Sequence, residues 1–515
     1  MFTNAGESTH PQRPTRPSVR FPRSAALDSL VAARTNIAAT ILLGIAFALL
    51  WPYRHFSGDD AYITFRFARN LASGHGFAFN PDVPTYGSTA PLWVFLIAGV
   101  HRLGLDVPDA AHCLNWLLSA ANVVLFFRLA IAYLGRTAFA AVAALLLIVD
   151  PWFIRWSLSG MENALALLLL MGFLISQQQA RNSGRISWIA PIIAALAALC
   201  RPEMAMLPGM LLLDVALFER RKRTANICFA LLSYALVLIP WIWYAHYNLG
   251  TIIPNTVTAK ISGDHLMAFI RSLLYLATFW PFQALAVAAV PLIGSVRTSH
   301  LDGDPKHRAM WLLPAAWALA LPVFYTLGGA PVAGRYMMFG LPCYLLIGVK
   351  AWQILSVRFP RLIVSSIVGT LLLVGWVQYR YCWYVTRWPQ GMDPKMIELA
   401  TTLKRVSGDS DIVAADQIGV LGYYSNRYVL DTLGLVSPET IPYRKVPGDS
   451  AIWHYVRSRN VQYLFVSQNR DQLTRLDPAY SSVTLVAQGD VQREGAGAVE
   501  SGTIRYYLYR TNWAD

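Results

Sequence analysis

Uncharged apolar runs recur along the first three quarters of the chain, and they limit its possible folds more than any other feature. They extend from Thr35 to Tyr53, Ala110 to Phe127, Asn163 to Ala180, Ile186 to Cys200, Thr224 to Ala259, Ser272 to Val296, Ala309 to Gly334 and Ser365 to Tyr379. A helix that crosses a bilayer needs about 20 predominantly apolar residues, and most of these runs meet that length alone. With 55% hydrophobic and only 14% charged residues among 515, the chain lies far from the soluble globular average. The sequence specifies an α-helical polytopic membrane protein.

Basic residues orient the loops. Residues 386–515 hold fourteen Lys/Arg and fourteen Asp/Glu, so the net charge of +14 belongs entirely to the first 385 residues. There it gathers at Arg181/Arg185, in Glu219-Arg220-Arg221-Lys222-Arg223, from Arg297 to Arg308 and at Arg358/Arg361. Loops rich in Lys and Arg stay cytoplasmic. Charge divided among short loops is not the concentrated patch of a nucleic-acid binder. The segment Pro91 to Leu103 decides the count, because crossing there would put Arg220–Arg223 outside. It is short for a span and reads as a re-entrant or surface helix on the outer face.

Eleven spans follow: 36–54, 110–133, 138–154, 163–180, 186–200, 204–218, 225–245, 268–296, 309–328, 337–356 and 362–384. Residues 1–35 read as a disordered basic cytoplasmic tail without a cleavable signal, and 36–385 as the transmembrane unit. Residues 386–515 read as a small soluble α/β domain on the outer side. Its strand signals are Ile412–Ala415, Tyr463–Val466, Val483–Ala487 and Ile504–Tyr509, with a helix over Ser450–Arg459. The five cysteines lie in or beside apolar segments and read as small buried hydrophobes.

In this topology the distinctive polar groups fall on one side. Asp59 and Asp60 stand together just beyond the first span, followed by Arg66 and Arg69. Glu162, Arg201-Pro202-Glu203, Asn255 with Lys260, and Arg335-Tyr336 occupy other outer loops. Adjacent carboxylates repel one another and split their pKa values, which is useful for catalysis or ion handling. A plain helix N-cap would need only one of them. A carboxylate can take the proton of an acceptor hydroxyl while Arg and Lys stabilise a departing phosphate. That is glycosyl transfer from a lipid-phosphate donor. No phosphate-binding glycine loop or dinucleotide fingerprint occurs. No cofactor is required by this chemistry. An Asp pair without a His/Cys cluster specifies no metal site and is a weak Mg or Mn signal.

The stretch from Asp59 to Arg66, then Asn70-Leu71 and Gly74 to Pro81, resembles the GT-C glycosyltransferases. So do Tyr86 to Trp93, Ser159 to Asn163, Arg201-Pro202-Glu203, Pro254 to Lys260, Gly334-Arg335-Tyr336, Asp416 to Gly419 with Gly422-Tyr423-Tyr424, and Asp431 to Leu435. The similarity is greatest to the bacterial branch that includes the actinobacterial terminal arabinofuranosyltransferases. It implies an eleven-span GT-C fold and a polyprenyl-phosphate sugar donor, with a catalytic acid in the first outer loop. Relatives often carry Glu-Gly-Tyr-Thr where this chain has Thr85-Tyr86-Gly87-Ser88, so acceptor contacts differ.

On this reading Asp59 is the general base and Asp60 orients the acceptor or shares its proton. Lys260, Arg335 and Arg201 hold the donor phosphate. Glu162, Arg66, Asn255, Tyr336 and Glu203 contact sugar or acceptor. The Asp416–Gly419 turn and the Tyr423-Tyr424 pair offer hydrogen bonds and stacking suited to carbohydrate. The acceptor would be an envelope glycan, lipid or protein at the outer face of a bacterial inner membrane. A flippase for lipid-linked saccharide is the competing reading. Transporters, however, place charges near the midplane between repeated helices, and this chain has its acids in loops and no visible repeat.

Overall fold

The computed structural model describes residues 25–183, 187–218, 223–260, 263–292, 310–329, 334–382, 392–446, 448, 450–492 and 503–513. The clusters Arg220–Lys222 and Arg297–Arg308, with Arg185, lie outside the described residues, as does the expected boundary at 386. Most of the tail expected over 1–35 is also outside, but its last part is helical. The first helix begins at Ala25 and runs unbroken to Leu50.

Among the described residues, six helices are long and apolar enough to cross a membrane: Ala32–Tyr53, Val107–Leu134, Asn163–Ser183, Arg223–Leu249, Gly334–Leu355 and Pro360–Arg380. Large side chains such as Leu232, Leu236, Leu319 and Leu372 are exposed on the outside of the bundle. A soluble monomer rarely shows contiguous apolar surface on that scale, so this sheath fits lipid. The protein is a polytopic membrane protein.

Several expected spans are broken, for a local reason. Thr137–Val149 and Pro151–Ser157 meet at a 60° bend. Pro151 has no N–H to continue the ladder. The Asp150 carboxylate instead accepts from the N–H groups of Trp152 and Phe153, starting a new helix. The run expected over 268–296 likewise divides into His265–Phe279 and Pro281–Leu292 at Pro281. The segment 186–200 is helical only over Ala190–Ala198.

Pro91–His101 forms an 11-residue helix, too short to span. Its Trp93 indole donates to the Gly160 carbonyl at 2.9 Å, pinning it beside the loop that carries Glu162. In a cysteine-free background, Val83→Cys and Asp106→Cys should both react with an impermeant thiol reagent from one side of the membrane. Labelling of the two from opposite sides would make this helix a crossing.

The C-terminal region carries a five-stranded sheet in the order β2-β1-β3-β5-β4. The strands are β1 Ile412–Ala415, β2 Tyr428–Asp431, β3 Tyr463–Val466, β4 Thr484–Gln492 and β5 Thr503–Arg510. β1 is parallel to both β2 and β3, while β5 is antiparallel to β3 and β4. Strand β2 and the helix Pro394–Val406 escaped the sequence reading. Four residues, Tyr-Val-Leu-Asp, make too short an alternation to distinguish from a loop.

The sheet is not a separable appendage. One continuous hydrophobic cluster contains Phe65, Phe67 and Phe79 from the segment after the first helix and Leu399, Val420, Leu435 and Val436 from the C-terminal region. Asn80 donates to the Val429 carbonyl at 2.9 Å and accepts from its N–H at 3.0 Å, imitating a neighbouring strand at the edge of β2. Buried apolar and polar groups on the loop and the sheet satisfy one another.

Candidate active site

The helix Asp59–Ala72 lies outside the spans and positions the acidic pair. It starts after an extended Gly58, and both carboxylates occupy its first turn, where the helix dipole favours them. Neither caps its own helix. Instead the two diverge. Asp59 reaches the sheet domain, where Oδ2 accepts from Gly419 N–H at 3.1 Å and Oδ1 from Val420 N–H at 2.8 Å. It thus caps the helix Gly419–Ser425, far away in sequence. Burial raises its pKa to about 6, with those two N–H groups pulling it down and Asp60 pushing it up.

Asp60 turns inward and pairs with Arg335 at 2.6 Å (Oδ2 to Nη1). Burial alone would raise its pKa. Arg335, Lys260 and Arg201 outweigh that effect and hold it well below the usual carboxylate range. Asp60 lines a cavity of about 450 Å³ together with Glu162, Arg201, Glu203, Lys260, Arg335 and Tyr336. Ile63, Met161, Val257, Phe324 and Leu327 make much of the remaining wall apolar. Seven residues singled out in five separate stretches of sequence therefore converge on one space.

Their roles inside it differ from the expectation. Arg201 donates to Glu162 at 2.7 Å and to Glu203 at 2.9 Å, and all three are buried. Two carboxylates engage that guanidinium, so Arg201, expected from sequence at the donor phosphate, braces the cavity wall. Removing one partner of such a buried group leaves a charge uncompensated, which is costly. Arg335 also donates to the Tyr336 hydroxyl at 3.2 Å.

Arg66 and Asn255 stand apart from this cavity. Arg66 is fully buried, stacks on Phe79 and donates to the Arg427 carbonyl at 2.7 Å. It fastens the loop to the sheet domain and lines neither cavity. Asn255 donates to Thr85 Oγ1 at 3.2 Å, holding the Thr85–Ser88 loop. Tyr423 is likewise core: it packs on Tyr62 and Phe65 beneath Arg69.

A second cavity, of about 410 Å³, adjoins the first. Asp60, Ile63, Lys260, Arg335 and Leu435 line both. The second is closed by Asp59 and by Asp416, Gln417, Ile418, Leu433 and Arg444 of the C-terminal region. Among the described residues, no three His, Cys, Asp or Glu side chains gather as a metal cage would require.

The sequence carries two family signatures. Residues 88–244 match the dolichyl-phosphate-mannose-protein mannosyltransferase family, and residues 384–509 match a domain of unknown function. No curated protein matches the chain. Among solved structures, ArnT from Cupriavidus metallidurans bound to undecaprenyl phosphate shares 14% identity at a TM-score of 0.55, over 94% of this chain and 98% of its own. The chain shares the fold of this membrane protein. The GT-C oligosaccharyltransferase AglB from Archaeoglobus fulgidus, in complex with an inhibitory peptide and a dolichol-phosphate, superposes at a TM-score of 0.57. That match has 13% identity and covers 84% of this chain and 69% of AglB. The mycobacterial arabinofuranosyltransferase AftD matches 94% of this chain with 40% of its own length, at 17% identity and a TM-score of 0.51.

The polar lining residues that sequence reasoning missed are Tyr325 and Arg444, while Ser88, Thr89, Leu433 and Leu435 lie in stretches it singled out without giving them a role. Asp416 and Gln417 carried a signal, as the polar turn that follows strand β1. Leu435 ends the stretch Asp431 to Leu435, but nothing local tells that this leucine of the sheet domain lines a cavity beside the membrane helices.

Proposed function

We propose that this enzyme transfers a sugar from a polyprenyl-phosphate carrier to a glycan, lipid or protein acceptor at the outer face of a bacterial inner membrane. The observation that carries the reading is the Asp60–Arg335–Lys260 cluster, set where an apolar-walled cavity meets a polar one. The apolar walls suit the first isoprene units of the carrier, and Arg335 and Lys260 suit its phosphate.

In this reading Asp60, not Asp59, is the base. Both oxygens of Asp59 are engaged by backbone N–H groups, while Asp60 faces both cavities. An arriving phosphate competes with Asp60 for the Arg335 guanidinium. As that partner shifts to phosphate, the proton affinity of Asp60 rises, so the base is readied only when donor is bound. The acceptor O–H proton passes to Asp60, the acceptor oxygen bonds to the anomeric carbon, and the bond from that carbon to the phosphate oxygen breaks. The phosphate keeps the bonding electrons and leaves as polyprenyl phosphate beside Arg335 and Lys260. The countercharge comes from side chains, and the proposed step draws on no cofactor.

Mass spectrometry of envelope glycans, lipids and glycoproteins from a deletion strain should show loss of one sugar type relative to wild type. Identical profiles would remove the reading. At the site itself, Arg335→Lys should weaken undecaprenyl phosphate binding by roughly tenfold or more, because a point charge replaces a bidentate fork. Arg505→Gln, which alters an exposed pair with Asp490 on the sheet, serves as the control. Equal affinity in both variants would place the phosphate elsewhere.

A further inference from the structure

We propose that the cavity between the first outer loop and the sheet is the acceptor site, and that its occupant is a saccharide held by Asp416 and Gln417. The proposal rests on the glycosyl-transfer reading above. It is carried by three observations that do not depend on that reading.

The first is the position of Asp416 in the sheet. The strand order β2-β1-β3 makes β1 the point where chain connections depart in opposite directions. In open α/β sheets the crevice at the carboxyl ends of the strands, beside such a switch, is where ligands bind. Asp416 follows Ala415, the last residue of β1, and Gln417 follows it. Both line the second cavity.

The second is an unmet acceptor. Asp416 Oδ1 is buried and has no hydrogen-bond partner. A buried carboxylate oxygen left unpaired is costly, and native structures keep few of them without a role. A ligand hydroxyl is a suitable donor. With the Gln417 amide and the Arg444 guanidinium in the same lining, the wall offers both donors and acceptors, as neighbouring hydroxyls of a sugar require.

The third distinguishes a saccharide from a peptide or an acyl chain. A peptide commonly docks by adding a strand to a free sheet edge. Here Asn80 already occupies both backbone groups of Val429 on β2, the edge beside the cavity loops. Acyl chains need nearly continuous apolar walls, and here Asp59, Asp60, Lys260, Arg335, Asp416 and Arg444 interrupt the apolar lining. Asp60 lines both spaces, so a hydroxyl bound against Asp416 lies in the cavity into which the proposed base projects.

The test uses the purified full-length protein in detergent, saturated with undecaprenyl phosphate. Methyl glycosides of arabinofuranose and mannopyranose, and their disaccharides, are screened by saturation-transfer difference NMR, with an unstructured peptide as comparison. Wild type should bind at least one saccharide and not the peptide. Asp416→Asn and Gln417→Ala should each weaken saccharide binding at least tenfold while undecaprenyl phosphate affinity and the thermal midpoint stay unchanged. Unaltered saccharide binding in both variants, preference for the peptide, or no saccharide binding in wild type overturns the acceptor assignment. Failure of wild type to bind undecaprenyl phosphate instead strikes the donor reading, so the two failures are distinguishable.

Discussion

Asp60→Asn is expected to lower turnover at least about a hundredfold, the usual scale for an acid–base group, without weakening the donor. The asparagine keeps the shape and loses the charge that holds Arg335 at 2.6 Å. A released guanidinium is available to phosphate, so undecaprenyl phosphate should bind as tightly as in wild type or more tightly. This combination separates a base from a structural anchor. A damaged fold loses both properties, and a donor ligand loses affinity first. The measurements are single-turnover transfer at saturating donor and equilibrium binding of undecaprenyl phosphate. Near-normal turnover would return the base to another group, with Asp59 the first candidate.

The second large effect concerns the joint between the two parts of the chain. Gly419→Ala places a Cβ against the backbone carbonyl of Asp59, with the Asp59 Oδ2 at 2.8 Å. The obstacle is backbone, so no side-chain rotation relieves it. The cost should exceed the roughly 1–3 kcal/mol of ordinary overpacking, because it also breaks the cap on the helix Gly419–Ser425. Transfer should fall at least tenfold, and proteolysis between the last span and the sheet should quicken. Asp59→Asn is the milder companion. Its amide oxygen can still accept from Val420, and only the partner of Gly419 is lost. The expected loss is that of a cap, about 0.5–2 kcal/mol, with far more activity remaining than in Asp60→Asn. Wild-type docking and activity in Gly419→Ala would show that this joint does not hold the site together.

The same joint bears on truncation. Leu435 lines the first cavity, and Gly87 lies so close to the domain that an added Cβ would stand 2.7 Å from Val436 Cγ1. The sequence reading gave the C-terminal region hydrogen-bonding and stacking groups suited to carbohydrate. The packing makes it a wall of the first cavity as well.

The sequence by itself determined the membrane class, because long uncharged runs have one stable solution in lipid, the helix. It also singled out polar groups that the fold brings together. Asp60, Glu162, Arg201, Glu203, Lys260, Arg335 and Tyr336 are polar groups beside apolar runs, and the structure gathers all seven around one cavity. The tertiary structure alone decided what each of them faces. Asp59 and Asp60 are neighbours in sequence, but successive helical residues point about 100° apart, so one caps a helix of the sheet and the other pairs with Arg335. Likewise Arg201 and Arg335 carry the same charge in similar loops. Only long-range packing gave Arg201 two buried carboxylates and set Arg335 beside Asp60, at the boundary of two cavities. Charge and hydrophobicity are local properties and are written in the sequence. Partnership is a property of distance in space, and the fold sets it.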